Sequence, residues 1–293
     1  MKQITVVSGK GGTGKTSFVA AFMHLSGSAV AADCDVDAAN LHLILTPTAE
    51  RARPEPFESG YEAVASTGGC LSCEKCVRAC RFDALRMTAG GNVEVNGLLC
   101  EGCGACVDAC PRQVLSLVEK TAGELFVSTM RFGPLVHGSL AIGQSASGKL
   151  VALVRARARE IAVIDGRDLI LIDGPPGVGC PVIASLTGVG AALAVAEPTV
   201  SGLHDLERVL ALCGHFGVRP MVVVNKWDLN PEMAEKLEKT GRQGGAEVLG
   251  RVGFDGTFPE ALAAGQTILE YAPQSAAAAA LKAVWEKLKE GVS

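Results

Sequence analysis

Residues 9–16 read GKGGTGKT, and the residues on either side decide what that stretch means. Upstream, Ile4 to Ser8 is a short β-branched run typical of a buried parallel strand. Downstream, Ser17 to Leu25 carries a helical pattern. Strand, then G-x4-G-K-S/T, then helix is the context in which this spacing acts as a phosphate-binding loop. Gly9, Gly11, Gly12 and Gly14 let backbone N–H groups face phosphate oxygens, with Lys10, Thr13 and Ser17 filling out the loop. Lys15 is placed to reach the β- and γ-phosphates, and the Thr16 hydroxyl to bind Mg²⁺.

The rest of the composition suits such a site. With 293 residues, 48% of them hydrophobic, the chain can bury a sizeable core in one or two domains. Abundant glycine and few aromatics fit a fold rich in tight βα turns. A formal charge of −4 leaves no basic footprint, so nucleic acid is not indicated as a partner. The opening MKQITVVSGKGG runs straight into the first strand, with no room for a signal peptide. No apolar stretch reaches membrane-spanning length, so membrane attachment is not expected and a cytoplasmic location is. The expected fold class is α/β, a mostly parallel, doubly wound sheet.

Eleven cysteines alter that picture. Eight fall in two runs of identical spacing, Cys70-x2-Cys73-x2-Cys76-x3-Cys80 and Cys100-x2-Cys103-x2-Cys106-x3-Cys110. In a cytoplasmic chain, regular spacing argues for metal rather than disulfides. The spacing matches that of bacterial ferredoxins, in which thiolates hold four-iron clusters. That likeness implies an inserted α+β ferredoxin-like domain with two 4Fe-4S clusters. It also implies crossed ligation: Cys70, Cys73, Cys76 and Cys110 for the first cluster, Cys100, Cys103, Cys106 and Cys80 for the second. Between the runs, LRMT (85–88) and NVEVN (92–96) flank Ala89-Gly90-Gly91 as a β-hairpin. Zinc is the alternative, although zinc ribbons take two cysteines per run rather than four. Pro111 follows Cys110 as the pattern expects, but Arg81 follows Cys80. That departure suggests a looser second cluster whose potential Arg81 raises.

Three further segments resemble the MinD/ParA family of deviant Walker ATPases. Lys10, at the second position of the loop, matches the family lysine that reaches across a dimer interface to the partner's nucleotide. Ala29 to Ala32 reads as a strand leading into DCDVDAANL (33–41), similar to the family's first switch. By that match Asp35 orients the attacking water close to Mg²⁺, with Asp33 and Asn40 in support. LILID (169–173) followed by GPPG resembles Walker B and the second switch. Asp173 then holds Mg²⁺ through water, and the Gly177 N–H senses the γ-phosphate. Met221 to Val224 is a strand ending in NKWD (225–228), which G-proteins use to read guanine. The resemblance favours ATP instead, with Asn225 contacting adenine. It implies an ATPase that binds ATP/ADP and dimerises on ATP.

The expected domain layout is a P-loop domain over 1–60 and 121–293, interrupted by ferredoxin-like material at 61–120. Residues 50–66 read as a polar entry linker, and Glu124 to Ser128 as a strand. Residues 133–151 are glycine- and serine-rich and lead to a helix near Lys149. Ser201 is a candidate cap for the helix after the strand at 190–197. Leu281, Val284, Trp285 and Leu288 form a helical stripe that packs against the sheet rather than a membrane. Cys213 reads as a core residue, Cys34 as a small residue between the switch aspartates, and Cys180 as a helix-start cysteine. The reading this supports is an ATPase coupling nucleotide-dependent dimerisation to electron transfer or partner docking, acting on a redox or iron–sulfur protein. The alternatives are an iron–sulfur carrier whose clusters are cargo, and a MinD-like spatial regulator with redox-sensing clusters.

Overall fold

The computed structural model describes residues 1–48, 54–144 and 146–292. They form two compact units, one of Met1–Glu55, Leu125–Leu140 and Ser147–Ser293, the other of Pro56–Glu124 and Ala141–Ala146. The second unit therefore takes in residues on both sides of the 61–120 span drawn from sequence.

Along the chain, β1 (Lys2–Ser8) leads to α1 (Lys15–Ser26), β2 (Val30–Asp33), the short α2 (Leu41–Leu45) and β3 (Glu55–Ala65). Then come α3 (Lys75–Ala79), β4 (Leu85–Met87), β5 (Val93–Val95), α4 (Ala105–Asp108) and the long β6 (Leu115–Met130). After β7 (Gly133–Leu140) follow α5 (Ser147–Ile164), β8 (Leu169–Pro176), α6 (Cys180–Leu186), β9 (Ala191–Ala196), α7 (Val200–Phe216) and β10 (Arg219–Asn225). The chain ends with α8 (Pro231–Gln243), β11 (Glu247–Val252), α9 (Thr257–Ala263), α10 (Ile268–Tyr271) and α11 (Ala276–Gly291).

In the first unit the strand order is β11-β10-β9-β1-β8-β2-β7-β6, with every pair from β11 to β7 parallel. The central strands are buried along most of their length, because helices cover both faces; β9, for example, reads AALAVA and is buried throughout. Helix α1 is buried along much of its length, with Phe18 and Phe22 in the core and Phe22 stacked on Trp285 of α11 at 5.2 Å. Leu281, Val284, Trp285 and Leu288 are all buried in that same core. The C-terminal stripe thus packs inward.

The second unit is a repeat with a 30-residue offset. Helices α3 and α4 follow the first cysteines of each run, and β4 corresponds to the start of β6. Backbone detail repeats as well. Left-handed φ angles occur at Ser72 and Gly102, at Glu74 and Gly104, and at Asp83 and Gln113. Cys80 N–H donates to Val77 O, as Cys110 N–H does to Val107 O. The first run holds Ser72 and Glu74 in a conformation the second assigns to glycine, a strain the surrounding frame must impose. Hairpin β4–β5 is antiparallel, with Leu85 opposite Val95. A small core of Ala63, Ala84, Leu85, Val93, Val114 and Leu115 includes Cys76 and Cys106.

Three local expectations change. Residues 55–65, within the stretch read as a linker, form β3, where Phe57 and Ala63 turn inward from an otherwise polar strand; residues 50–53 of that reading lie outside the described residues. The Gly/Ser-rich start of 133–151 is strand β7, whose Leu135, Val136 and His137 are buried. The cap of α7 is Thr199, whose Oγ1 accepts Gly202 N–H at 3.0 Å, rather than Ser201.

Candidate functional site

The loop between β1 and α1 is built by close approaches. A Cβ at Gly9 would fall 1.9 Å from Asp205 Cβ, so no larger residue fits there. Gly14 has φ +100° and a Cβ there would meet Asn225 Nδ2 at 2.7 Å, so it is required on two counts. Gly14 also caps α1 without any side-chain acceptor, leaving the first-turn amides for an anion.

Lys15 opens that helix and is buried. Burial lowers its pKa, opposed by Asp173, Asp35 and Asp33. Asp33 ends β2 and pairs directly with Asp173 of the adjacent β8, and Asp35 lies on the loop just after β2. Burial raises the Asp173 pKa to about 6, with Asp35 adding to the shift and Thr16 and Lys15 opposing it. The Thr16 hydroxyl is near enough to pull that value down, yet neither Asp173 oxygen completes a hydrogen bond. Two buried, unsatisfied carboxylate oxygens beside a phosphate loop are a donor set suited to a hydrated divalent cation.

Asp33 does something different. Its carboxylate accepts the N–H groups of Asp35, Asn40 and Leu41, each at 3.1 Å, and so ties down the whole 35–41 loop. Burial, with Asp173 beside it, holds its pKa well above the usual carboxylate range. Asp35 is half-buried at the mouth of the site, and burial raises its pKa against the pull of Lys15.

Several expected contacts are occupied differently. Lys10 Nζ sits 2.8 Å from Glu197 and 3.4 Å from Thr199 Oγ1 of its own chain. Glu197 also accepts from Lys226 at 2.9 Å, and Lys226 reaches Gly12 O at 3.1 Å. Gly177 N–H, expected to face the γ-phosphate, donates to Ser8 O at 3.0 Å. Asn225 Nδ2 donates to Thr13 O at 2.7 Å, bracing the loop from behind.

Asn225 also lines a cleft with Gly12, Phe18, Phe254, Phe258 and Leu262. Its aromatic residues were not singled out in the sequence. The signal was GFDGTFPE after the last strand, an aromatic loop beside a Walker lysine on the sheet's C-terminal edge. Asp228 of NKWD is engaged there, accepting Phe254 N–H at 2.7 Å.

In the second unit the eight cysteines sort into two sets. Cys70, Cys73, Cys76 and Cys110 line one small pocket, together with Pro111 and Arg112. Cys80, Cys100, Cys103 and Cys106 line another, together with Glu101 and Phe82. Each set crosses from one run to the other. Ala63 N–H donates to Cys100 Sγ at 3.3 Å. At Cys110 burial acts to raise the pKa, but the backbone amides of residues 112–115 outweigh it and lower the value. Among the described residues, no group of three or more His, Cys, Asp or Glu side chains is disposed to hold a metal ion.

The remaining cysteines are simpler. Cys213 is buried and its pKa is pushed up to about 11 by burial. Cys34 is buried within the switch, and burial pushes its pKa well up. Cys180 is the exposed first residue of α6.

A parallel sheet, a glycine loop and a buried lysine at a helix start define a P-loop nucleotide-binding protein. Residues 4–268 match the CobQ/CobB/MinD/ParA nucleotide binding domain, and the chain belongs to that family, as a P-loop ATPase. Protein MJ0578 of Methanocaldococcus jannaschii is 32% identical over 98% of this chain and 96% of its own. The septum site-determining protein MinD of Pyrococcus horikoshii OT3, solved with Mg-ADP, has a similar fold, with TM-score 0.56 at 21% identity over 99% of this chain and 96% of that one. A 64-residue stretch, 22% of this chain, is 38% identical to a segment making up 19% of one component of the Na(+)-translocating ferredoxin:NAD(+) oxidoreductase complex of Acetobacterium woodii. Among the described residues no helix is long and apolar enough to cross a membrane.

Proposed function

We propose that this ATPase couples nucleotide-driven dimerisation to electron transfer through two 4Fe-4S clusters held in its second unit. The observation that carries the reading is the crossed sorting of eight thiols around two separate pockets. That arrangement is what two-cluster ligation by C-x2-C-x2-C-x3-C runs demands, and what single-ion zinc binding does not. The clusters would supply one-electron redox chemistry. The short likeness to a component of an oxidoreductase complex is consistent with a redox partner.

At the nucleotide site the chain's own groups divide the work. The uncapped amides at the start of α1 and the buried Lys15 cation draw the phosphates. Thr16, Asp35 and Asp173 would hold Mg²⁺, directly or through water, and the metal would neutralise developing phosphate charge. The MinD relative of similar fold was solved with that ion and ADP. Asp35, half-buried on the loop after β2, would orient water. The cleft beside Asn225 is apolar enough to take a base. With Asp228 already accepting Phe254 N–H, the guanine-reading carboxylate is spoken for, which favours ATP. Lys10 would leave Glu197 to act across the dimer.

Anaerobically purified protein with about eight iron and eight sulfide per chain supports the clusters. The crossed ligation has its own test in paired variants. Cys70→Ser with Cys110→Ser should cost one cluster and leave about half the iron, whereas Cys70→Ser with Cys80→Ser should cost both. Equal losses from the two pairs would refute the crossing. Zinc in place of iron would refute the redox reading.

A further inference from the structure

The 30-residue repeat gives the two cysteine pockets the same order of elements and matching left-handed positions, so side chains can be compared position by position. Those side chains differ in charge. Where the first pocket has Leu71, the second has Glu101; where the first has Arg112, the second has Phe82. Arg78 turns toward the first pocket, donating to Cys73 O at 3.1 Å, and the matching helix position in the second run is Asp108. Glu74 and Lys75 offset each other at the first pocket, and their counterparts Gly104 and Ala105 carry no charge. Arg81 is the one cation next to a ligand of the second pocket, against Glu101 and Asp108. One negative and three positive charges face two negative and one positive, giving formal balances of +2 and −1.

We propose that the two sites are unequal electron carriers. A cluster at Cys70, Cys73, Cys76 and Cys110 accepts an electron first, and one at Cys80, Cys100, Cys103 and Cys106 is the weaker acceptor. This rests on the reading that both pockets hold 4Fe-4S clusters. Each reduction adds one electron from a low-potential one-electron donor to a cluster that already carries net negative charge with its thiolates. Positive charge nearby favours that step and negative charge opposes it. Cys103 is the most exposed ligand and water at its sulfur works the other way. It touches one ligand of four, whereas the charge contrast acts on the whole cluster. The balance also reverses the expectation drawn from Arg81 alone. An electron entering at the second site would therefore run downhill to the first.

The test is a redox titration of the full-length, cluster-loaded protein, followed by visible absorbance and electron paramagnetic resonance. Two one-electron steps are expected. Arg112→Glu should lower the upper step, Glu101→Arg should raise the lower one, and the pair together should close or invert the gap. Added salt should narrow the gap, since these charges are exposed. Two independent single variants on opposite pockets keep the test open if one fails to assemble. Full iron with a single shared step, or Arg112→Glu moving the lower step instead, overturns the inference and leaves the cluster reading intact. Iron far below about eight per chain overturns both.

Discussion

Around the phosphate loop, Lys10, Asn225, Lys226 and the Gly177 N–H are all engaged with other parts of the same chain. The eight cysteines of the second unit are arranged the opposite way, lining two pockets, with backbone amides turned toward Cys100 and Cys110. On the proposed reading, the first region has to exchange partners before it can act, while the second keeps one arrangement around its clusters. A switch and a holder differ in this respect. The switch uses its polar groups twice, in two states, while the holder uses them once.

Removing Lys15 should separate the two regions most sharply. Lys15→Ala is expected to lower ATP hydrolysis by about a hundredfold or more, as loss of a phosphate-stabilising charge does. Iron content should not change, because no cysteine ligand depends on that loop. Parallel measurements of phosphate release and bound iron check both halves. Loss of iron together with activity would mean that the holder needs the switch in order to assemble.

The pH response of Asp173 gives a smaller effect, confined to the switch. Its pKa of about 6 lies above that of an unfolded aspartate. In metal-free protein this group therefore contributes stability that is present below about pH 4 and lost as pH rises through 6. Mg²⁺ needs the carboxylate, so Mg-nucleotide affinity should move the opposite way, weakening several-fold from pH 7 to pH 5.5. Asp173→Asn should flatten its share of the stability profile, leaving that of Asp33, whose pKa is also raised. Chemical denaturation across pH, with and without Mg²⁺, measures both signs. A wild-type affinity that does not change with pH would remove Asp173 from the metal's surroundings.

What could be read ahead of the structure follows the same divide. The P-loop, the strands carrying Asp33 and Asp173, and the two cysteine runs were legible in local sequence, although β8 runs past Asp173 to Pro176. Glu197 was not, since nothing local to EPTVSG says that its carboxylate will meet Lys10 and Lys226. That meeting depends on β9 lying beside β1 and β10 in the sheet. The Asp33 carboxylate was read as support for the metal and for the 33–41 segment, and its three hydrogen bonds go to that segment's backbone. Strand β3 was hidden by its polarity, because only Phe57 and Ala63 mark an inward face. Side chains that serve a distant backbone leave no period or spacing in the sequence.

The finest test concerns Glu197, which holds Lys10 at 2.8 Å and Lys226 at 2.9 Å. Lys10 can serve a partner's nucleotide only after leaving this carboxylate, so the ion pair opposes dimerisation. Both ends are partly exposed, with Lys10 about a third accessible, so the pair is worth no more than about 1 kcal/mol. Glu197→Gln keeps the shape and hydrogen-bonding capacity but removes the charge. ATPase activity should then reach half its maximum at a protein concentration lower by about two- to fivefold. The shift should shrink in high salt, as the wild-type pair is screened. Lys10→Ala should instead raise the concentration needed. If Glu197→Gln and Lys10→Ala moved it in the same direction, the pair would be a brace for the loop rather than a restraint on the lysine.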